Sequence, residues 1–108
     1  MTIRMVGSPT VVSINGSTAV SDPILVAGQR TTVTAEVPAT LGLIQGSMDL
    51  RNWITATSLV DGTTALSTLA DASVNEIFQR FKWIRLAVTT DTSAPRNFHF
   101  MVHTYSEE

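Results

Sequence analysis

The sequence is interrupted at short intervals by residue groups that favour turns. The clearest are Gly7-Ser8-Pro9, Asn15-Gly16, Ser21-Asp22-Pro23, Ala27-Gly28, Asp61-Gly62 and Ser93-Ala94-Pro95. The residues between them suit an extended backbone, because Thr and Ser make up about a quarter of the chain and Val and Ile about a sixth. Branching at Cβ favours a pleated strand. Short strands separated by frequent turns are typical of a β-sandwich or a small barrel.

We therefore predict an all-β fold, a single antiparallel β-sandwich that is jelly-roll-like. The chain has 108 residues, the length of one domain. Residues 1–108 are expected to form that domain, with short flexible arms at 1–8 and 106–108. The expected strands are 2–6, 10–14, 17–20, 23–27, 30–37, 41–47, 52–58, 63–68, 82–90 and 96–105.

Two of these segments alternate between apolar and more polar residues, which predicts strands with one buried face. The first has Ile84, Leu86 and Val88 on one face and Trp83, Arg85, Ala87 and Thr89 on the other. The second has Phe98, Phe100 and Val102 on one face and His99, Met101, His103 and Tyr105 on the other.

Residues 71–80 have a pattern that favours a short helix over a strand. Ser73 and Glu76 have the spacing of a capping box. Four apolar residues would then share one helical face, namely Val74, Ile77, Phe78 and Phe81. We expect at most one short helical turn near 71–80.

Charge and composition exclude several classes of partner. The net charge is −2, and Lys82 is the single lysine beside six scattered arginines, so direct binding to nucleic acid is not expected. The chain has no cysteine, which excludes disulfides and Cys-type zinc sites. Its apolar runs are too short to span a membrane. No basic and apolar leader is present, so we expect the protein to stay in the cytoplasm where it is made.

The ionisable residues show no catalytic or metal-binding arrangement. His99 and His103 lie four residues apart in a predicted strand, which separates the two rings by roughly 13 Å, too far for one metal ion. Four aspartates are expected to bond local backbone N–H groups in turns or caps, namely Asp49, Asp61, Asp71 and Asp91. We predict that the chain is not an enzyme and has no catalytic residue, metal or cofactor.

The large aromatic residues allow two interpretations. Trp53, Trp83 and Tyr105 would form a stacking platform for a sugar in a carbohydrate-binding module. In a small sandwich, large aromatics more often serve as core or interface anchors. We therefore expect Trp53 or Trp83 to fill the space between the two sheets.

Three segments within residues 46–90 carry a resemblance to a known class of proteins. They are Gly46-Ser47-x-Asp49-x-x-Asn52-Trp53, then Ser58-Leu59-Val60-Asp61-Gly62-Thr63, then Phe81-Lys82-Trp83-Ile84-Arg85-Leu86-Ala87-Val88. This pattern resembles one common in small virion proteins of tailed phages, and similar motifs occur in discoidin-like and carbohydrate-binding sandwiches. Within it, Ser47 and Asp49 fit a turn that bonds its own backbone. Arg85 is expected to pair with Asp49 or Asp61.

The resemblance implies a structural protein of a phage particle located in the virion. The favoured role is a capsid decoration (cement) protein, and a tail, neck or adhesion component is the alternative. The expected partners are the major capsid protein or another virion protein, together with copies of the chain itself in a dimer or trimer. We expect contact residues at Met5, Phe98, Met101 and Tyr105, and strand donation to a neighbour by Met1–Val6 and Phe100–Tyr105.

Overall fold

The computed structural model describes residues 3–15, 20–36, 42–88 and 97–107. These residues form β-strands and no helix, so none of these ranges contains a helix that crosses a membrane. The strands are β1 Ile3–Met5, β2 Thr10–Asn15, β3 Ile24–Leu25, β4 Arg30–Glu36, β5 Gly42–Ser47, β6 Ile54–Thr55, β7 Ser73–Glu76, β8 Trp83–Val88 and β9 Asn97–Glu107.

The strands form two antiparallel sheets that pack against each other. The first sheet has the order β2-β9-β4-β7, and the second has the order β3-β8-β5-β6. Strand β1 pairs with the far end of β9, beside β2. Because the chain alternates between the sheets in this way, the strand order is that of an eight-stranded jelly roll. The predicted all-β, jelly-roll-like sandwich is confirmed.

The core lies between the two sheets. Strands β8 and β9 contribute to it the apolar residues at every second position. Its largest fully buried side chains are Phe98, Phe100, Ile44, Ile77, Ile84 and Leu86. Both predicted inner faces are therefore correct, since Val88 and Val102 are buried as well. Gly46 is needed in this core because the ring of Phe81 lies where a side chain at position 46 would have to stand.

The helix expected near 71–80 is absent, because Ser73–Glu76 is strand β7, paired with β4. The side chains of Ser73 and Asn75 lie beside the buried residues Ala35 and Val33, whereas Val74 points outward. The hydroxyl of Ser73 donates to the carbonyl of Ala70, 2.6 Å away, instead of capping a helix. This strand thus reverses the usual pattern of apolar residues inside and polar residues outside.

The expected arms and two expected strands differ from the structure. Within the arm 1–8, Ile3–Met5 is a strand, because it pairs with Tyr105–Glu107. Of the expected strand 17–20 only Val20 lies in the described ranges, and it bridges to Ala87 of the second sheet. Within 63–68, Ala65 forms a single bridge to Thr57.

One side of the sandwich is closed by backbone contacts between the sheets. After β6, Ser58 bridges to Ile77, and the N–H of Phe78 donates to the carbonyl of Thr57 at 2.8 Å. On the opposite side, β2 and the segment Val20–Ile24 line an open groove of about 510 Å³. Hydrogen bonds therefore join the two sheets at the β6–β7 edge, whereas a groove lies between β2 and the segment Val20–Ile24.

Candidate contact face

The outer face of the first sheet carries a row, here called the apolar row, of three apolar side chains and one threonine on four neighbouring strands. Val11 of β2 lies beside Met101 of β9, which lies beside Thr34 of β4, which lies beside Val74 of β7. The exposed fractions are 66% for Val11, 39% for Met101 and 67% for Val74. We call the contact face this row, the row of Ser13, His99 and Glu36 on one side of it, and the two rows on its other side, which end at Arg30, Tyr105 and Met5.

The row on one side of this apolar row is polar. It consists of Ser13, His99 and Glu36, which are cross-strand neighbours on β2, β9 and β4. Ser13 Oγ and His99 Nδ1 are 2.9 Å apart and share a hydrogen bond. This hydrogen bond fixes one side of the imidazole at the rim of the contact face.

The other flanking region combines an aromatic stack with an ion pair. The rings of His103 and Tyr105 stack with their centroids 6.4 Å apart. Arg30 Nη2 donates to Glu76 Oε2 at 2.7 Å, which joins β4 to β7. Met5 of β1 is the cross-strand neighbour of Tyr105 and is half-exposed. The face is therefore apolar in its middle row and at the Met5 corner, with its charges at the margins.

The structure places three of the four predicted contact residues on the same face of the first sheet. Met5, Met101 and Tyr105 all lie on the contact face, although they come from opposite ends of the chain. Phe98 is fully buried between the sheets, so its prediction as a contact residue is wrong. Strand donation by Phe100–Tyr105 is also wrong, because β9 is paired on both of its edges.

Sequence reasoning missed Val11 and Val74, the two most exposed members of the apolar row. The alternation of β2 contained a signal for Val11, since Val12 and Ile14 occupy the inward positions of that strand. No comparable signal existed for Val74. Its place in the row depends on the register between β4 and β7, which are joined by a long stretch of chain.

Trp53 and Trp83 do not fill the space between the sheets, and that prediction is wrong. Trp83 alternates with the buried Ile84 and lies half-buried on the outer face of the second sheet. The guanidinium carbon of Arg85 lies 4.3 Å from the centre of the Trp53 ring, in cation–π geometry. Arg85 Nε also donates to Gln45 Oε1 at 2.7 Å. Arg85 thus binds an aromatic ring and an amide on this outer face.

The turn predicted at Ser47 and Asp49 is present. Asp49 Oδ1 accepts the backbone N–H groups of Arg51 and Asn52, both at 2.9 Å, and Oδ2 accepts Asn52 Nδ2 at 2.7 Å. Ser47 Oγ accepts the N–H of Leu50 at 3.0 Å. Because the ionised carboxylate accepts these bonds, first from Asn52 and Arg51, the pKa of Asp49 lies well below its ordinary value. The carboxylate is committed to its own turn and does not pair with Arg85.

Asp61 has the same function in the next turn. Its carboxylate accepts the hydroxyl of Thr64 and the N–H groups of Thr64 and Thr63, each N–H at 2.9 Å. These bonds lower the pKa of Asp61 to about 2. Asp71 accepts the N–H of Ala72 at 3.0 Å. The fourth predicted turn aspartate, Asp91, lies outside the described residues.

The contact face combines exposed apolar side chains with polar groups that are bound to neighbouring residues. Among the residues that the structure describes, no three His, Asp or Glu side chains lie close enough to hold a metal ion. His99 bonds to a serine and His103 stacks on a tyrosine. The exposed methionine and valine side chains offer apolar area to another protein surface.

Comparison with models of known protein families and with curated proteins found no match. Among solved structures, the chain is similar to the crystal structure of the SPBc2 prophage-derived protein YomS, with a TM-score of 0.61. The likeness covers 94% of this chain and 97% of that protein, at 13% sequence identity. At this identity the comparison establishes the fold: the chain shares its β-sandwich with a prophage-derived protein.

Proposed function

We propose that this chain is a structural protein of a phage particle and that it acts by binding other proteins. The observation that carries the proposal is the exposed apolar row of the contact face, Val11–Met101–Thr34–Val74. Such a row on the outside of a sheet is typical of a surface that another protein covers. The likeness in fold to a prophage-derived protein supports the phage origin.

Three of the described carboxylate groups are already held by other groups of the fold. The carboxylates of Asp49 and Asp61 are saturated by their own turns, and Glu76 is paired with Arg30. A general acid or base must instead be free to reach a substrate. We propose that the chain has no catalytic activity and that its partners are other virion proteins.

Within this class we propose the role of a capsid decoration protein. A small domain held together by a closed sheet edge and two aspartate turns offers a rigid surface to an assembled shell. Rigid surfaces lose less conformational entropy on docking than flexible ones. A tail, neck or adhesion component requires the same rigidity, and the experiment below separates these roles.

Deletion of the gene from the phage that carries it tests the proposal. If the chain is a decoration protein, heads without it should still assemble and package DNA. These heads should release their DNA at a lower temperature than wild-type heads. Purified chain added to such heads should bind them and restore the wild-type release temperature. Heads of normal stability with missing or defective tails would instead assign the chain to the tail or neck. Wild-type particles that do not contain the chain would contradict a structural role altogether.

A further inference from the structure

We infer that the free edge of β2 binds an extended segment of another virion protein, which adds to the first sheet as a further strand. The segment is expected to carry apolar residues at every second position and a lysine or arginine near Asp22. The inference rests on the proposed function, to which it adds the site and the chemistry of the partner.

The hydrogen bonds around β9 show which backbone groups of β2 are used within the sheet. The N–H of Val6 donates to the carbonyl of Thr104 at 2.8 Å, so Thr104 directs its backbone groups towards β1 and β2. Bonding alternates along an antiparallel strand, and every second residue of β9 therefore does the same. The β2 residues opposite them, which bond to β9, are Thr10, Val12 and Ile14.

The intervening residues Val11 and Ser13 direct their N–H and carbonyl groups away from β9. No strand in the described part of the chain pairs with that edge of β2. The two residues present two donors and two acceptors along the edge, and the backbone of one extended strand can satisfy all four. An open edge of this kind is a template for strand addition.

Strand β2 lacks two features that protect free edges in natural sheets, namely charged side chains and proline. The strand Thr10–Asn15 contains neither. On the facing wall of the groove, by contrast, Pro23 has no N–H to offer. The edge is therefore open to a partner strand along β2 and blocked at Pro23.

The groove of about 510 Å³ beside β2 can receive the side chains of an added strand. Val12 and Ile24, on its two walls, pack against the core but are only partly buried, and Val20 is half-exposed. Residues of a strand alternate between its two faces, so every second residue of the partner segment would point into the groove and cover these side chains. Apolar residues at those positions would complete the core at this edge.

Charge complementarity favours such a segment over β2 of a second copy. Asp22 is exposed, and it is the single charged residue among the described residues that line the groove. A lysine or arginine of the partner would supply the opposite charge. Because β2 carries no charge, the same strand of a second copy would leave Asp22 without one.

Binding of the purified chain to particles from the deletion strain tests the inference. Val11→Pro removes one donor of the free edge and keeps the bonds between β2 and β9, since proline is tolerated where the N–H of an edge strand faces outward. Val11→Ala is the matched control, because it also removes the exposed side chain but keeps the N–H. Val11→Pro should bind at least tenfold more weakly than Val11→Ala, and thermal unfolding of both variants checks that the fold is intact.

The outcomes separate the inference from the proposed function. Equal binding by Val11→Pro and Val11→Ala overturns the inference alone. No binding by the wild-type chain contradicts the proposed function together with the inference. A purified wild-type chain that dimerises, and whose dimer is lost in Val11→Pro, assigns the edge to a second copy and overturns the partner segment.

The charge of the partner segment is tested by reversing Asp22. Asp22→Lys should weaken binding to the particles severalfold. Asp71→Lys is the control, because Asp71 is an exposed aspartate of a turn outside the groove, and it should bind like the wild type. Equal binding by the two variants would contradict a cation of the partner at Asp22.

Amide hydrogen exchange tests the edge without any substitution. In the free chain the N–H groups of Val11 and Ser13 should exchange rapidly, whereas those of Val12 and Ile14, which bond to β9, should be protected. In the chain bound to particles, the N–H groups of Val11 and Ser13 should become protected as well. Rapid exchange that persists at these two residues in the bound chain overturns the inference.

Discussion

The ring of Phe81 fills the space directly above Gly46, where a Cβ atom would overlap ring atoms Cγ and Cδ2. Phe81 is buried at the end of the sandwich where β5 pairs with the start of β8. The strand can therefore approach the ring this closely only because position 46 has no side chain. This contact joins the second sheet to the core beneath it.

The first prediction follows from this contact. Gly46→Ala should destabilise the fold by about 3 kcal/mol, the cost of forcing an extra methyl group into a packed core. Denaturant unfolding followed by circular dichroism would measure the change. Phe81→Leu in the same chain should make room for the methyl group, so the double variant should lose less stability than the sum of the two single losses. Additive losses would show that the ring and the glycine are not in contact.

The second prediction concerns Arg85 and Trp53. A guanidinium over an indole ring near the surface contributes about 0.5–1 kcal/mol. A double-mutant cycle with Arg85→Ala and Trp53→Ala should therefore give a coupling energy of that size. The same cycle with Lys82→Ala in place of Arg85→Ala is the control, because Lys82 is an exposed cation outside the stacked pair, and it should give a coupling near zero. Equal coupling in both cycles would show that the cation–π geometry is not formed.

This pair also bears on the carbohydrate-binding alternative. One face of the Trp53 ring is covered by Arg85, and Tyr105 lies in the first sheet whereas Trp83 lies in the second, so the three rings do not form one stacking platform. We therefore expect the wild-type chain to give no signal on a glycan array. Binding that is lost in Trp53→Ala or Trp83→Ala while the fold survives would support the carbohydrate-binding module instead.

The third prediction concerns acid stability and the turn of Asp49. The folded-state pKa of Asp49 is depressed below the value of about 3.9 that an aspartate has in an unfolded chain. The ionised carboxylate therefore stabilises the fold above about pH 4, and this contribution is lost as the pH falls through 3.9 towards the folded-state pKa. Asp49→Asn should lower stability at pH 7 and should make the loss of stability between neutral and acid pH less steep.

Urea unfolding at a series of pH values would measure this effect. Met48→Ala is a suitable control, since it alters an exposed side chain of the same turn but keeps the carboxylate. That variant should retain the wild-type slope of stability against pH. A wild-type slope in Asp49→Asn would show that the carboxylate does not hold the turn in solution.

Alternation along single strands was the part of the fold that sequence could predict. In β8 and β9 every second residue on one face is apolar, so Ile84 and Phe100 were placed correctly in the core. Strand β7 was missed because its inward positions are polar and its outward Val74 is apolar. The bulk of the Trp83 side chain suggested burial between the sheets. Its position in the alternation of β8 places it on the outer face instead.

The contact face was only partly predictable for a different reason. Met101 and Tyr105 share one face of one strand, so their proximity follows from the period of two. Met5 joins them only through pairing between the two ends of the chain, and Val74 joins them through β4. Such long-range register depends on the packing of the whole sandwich, which no local pattern encodes. Phe98 was included in the contact set although its own parity placed it with Phe100 in the core.

The central claim is that this chain acts by binding as a structural part of a phage particle, and electron microscopy of intact particles tests it most directly. Particles that carry wild-type chain should be compared with particles from the deletion strain. A decoration role predicts extra density for the sandwich at symmetry-related positions on the outside of the head. Density confined to the tail or neck would contradict that role, and the absence of any difference between the two kinds of particle would contradict the claim itself.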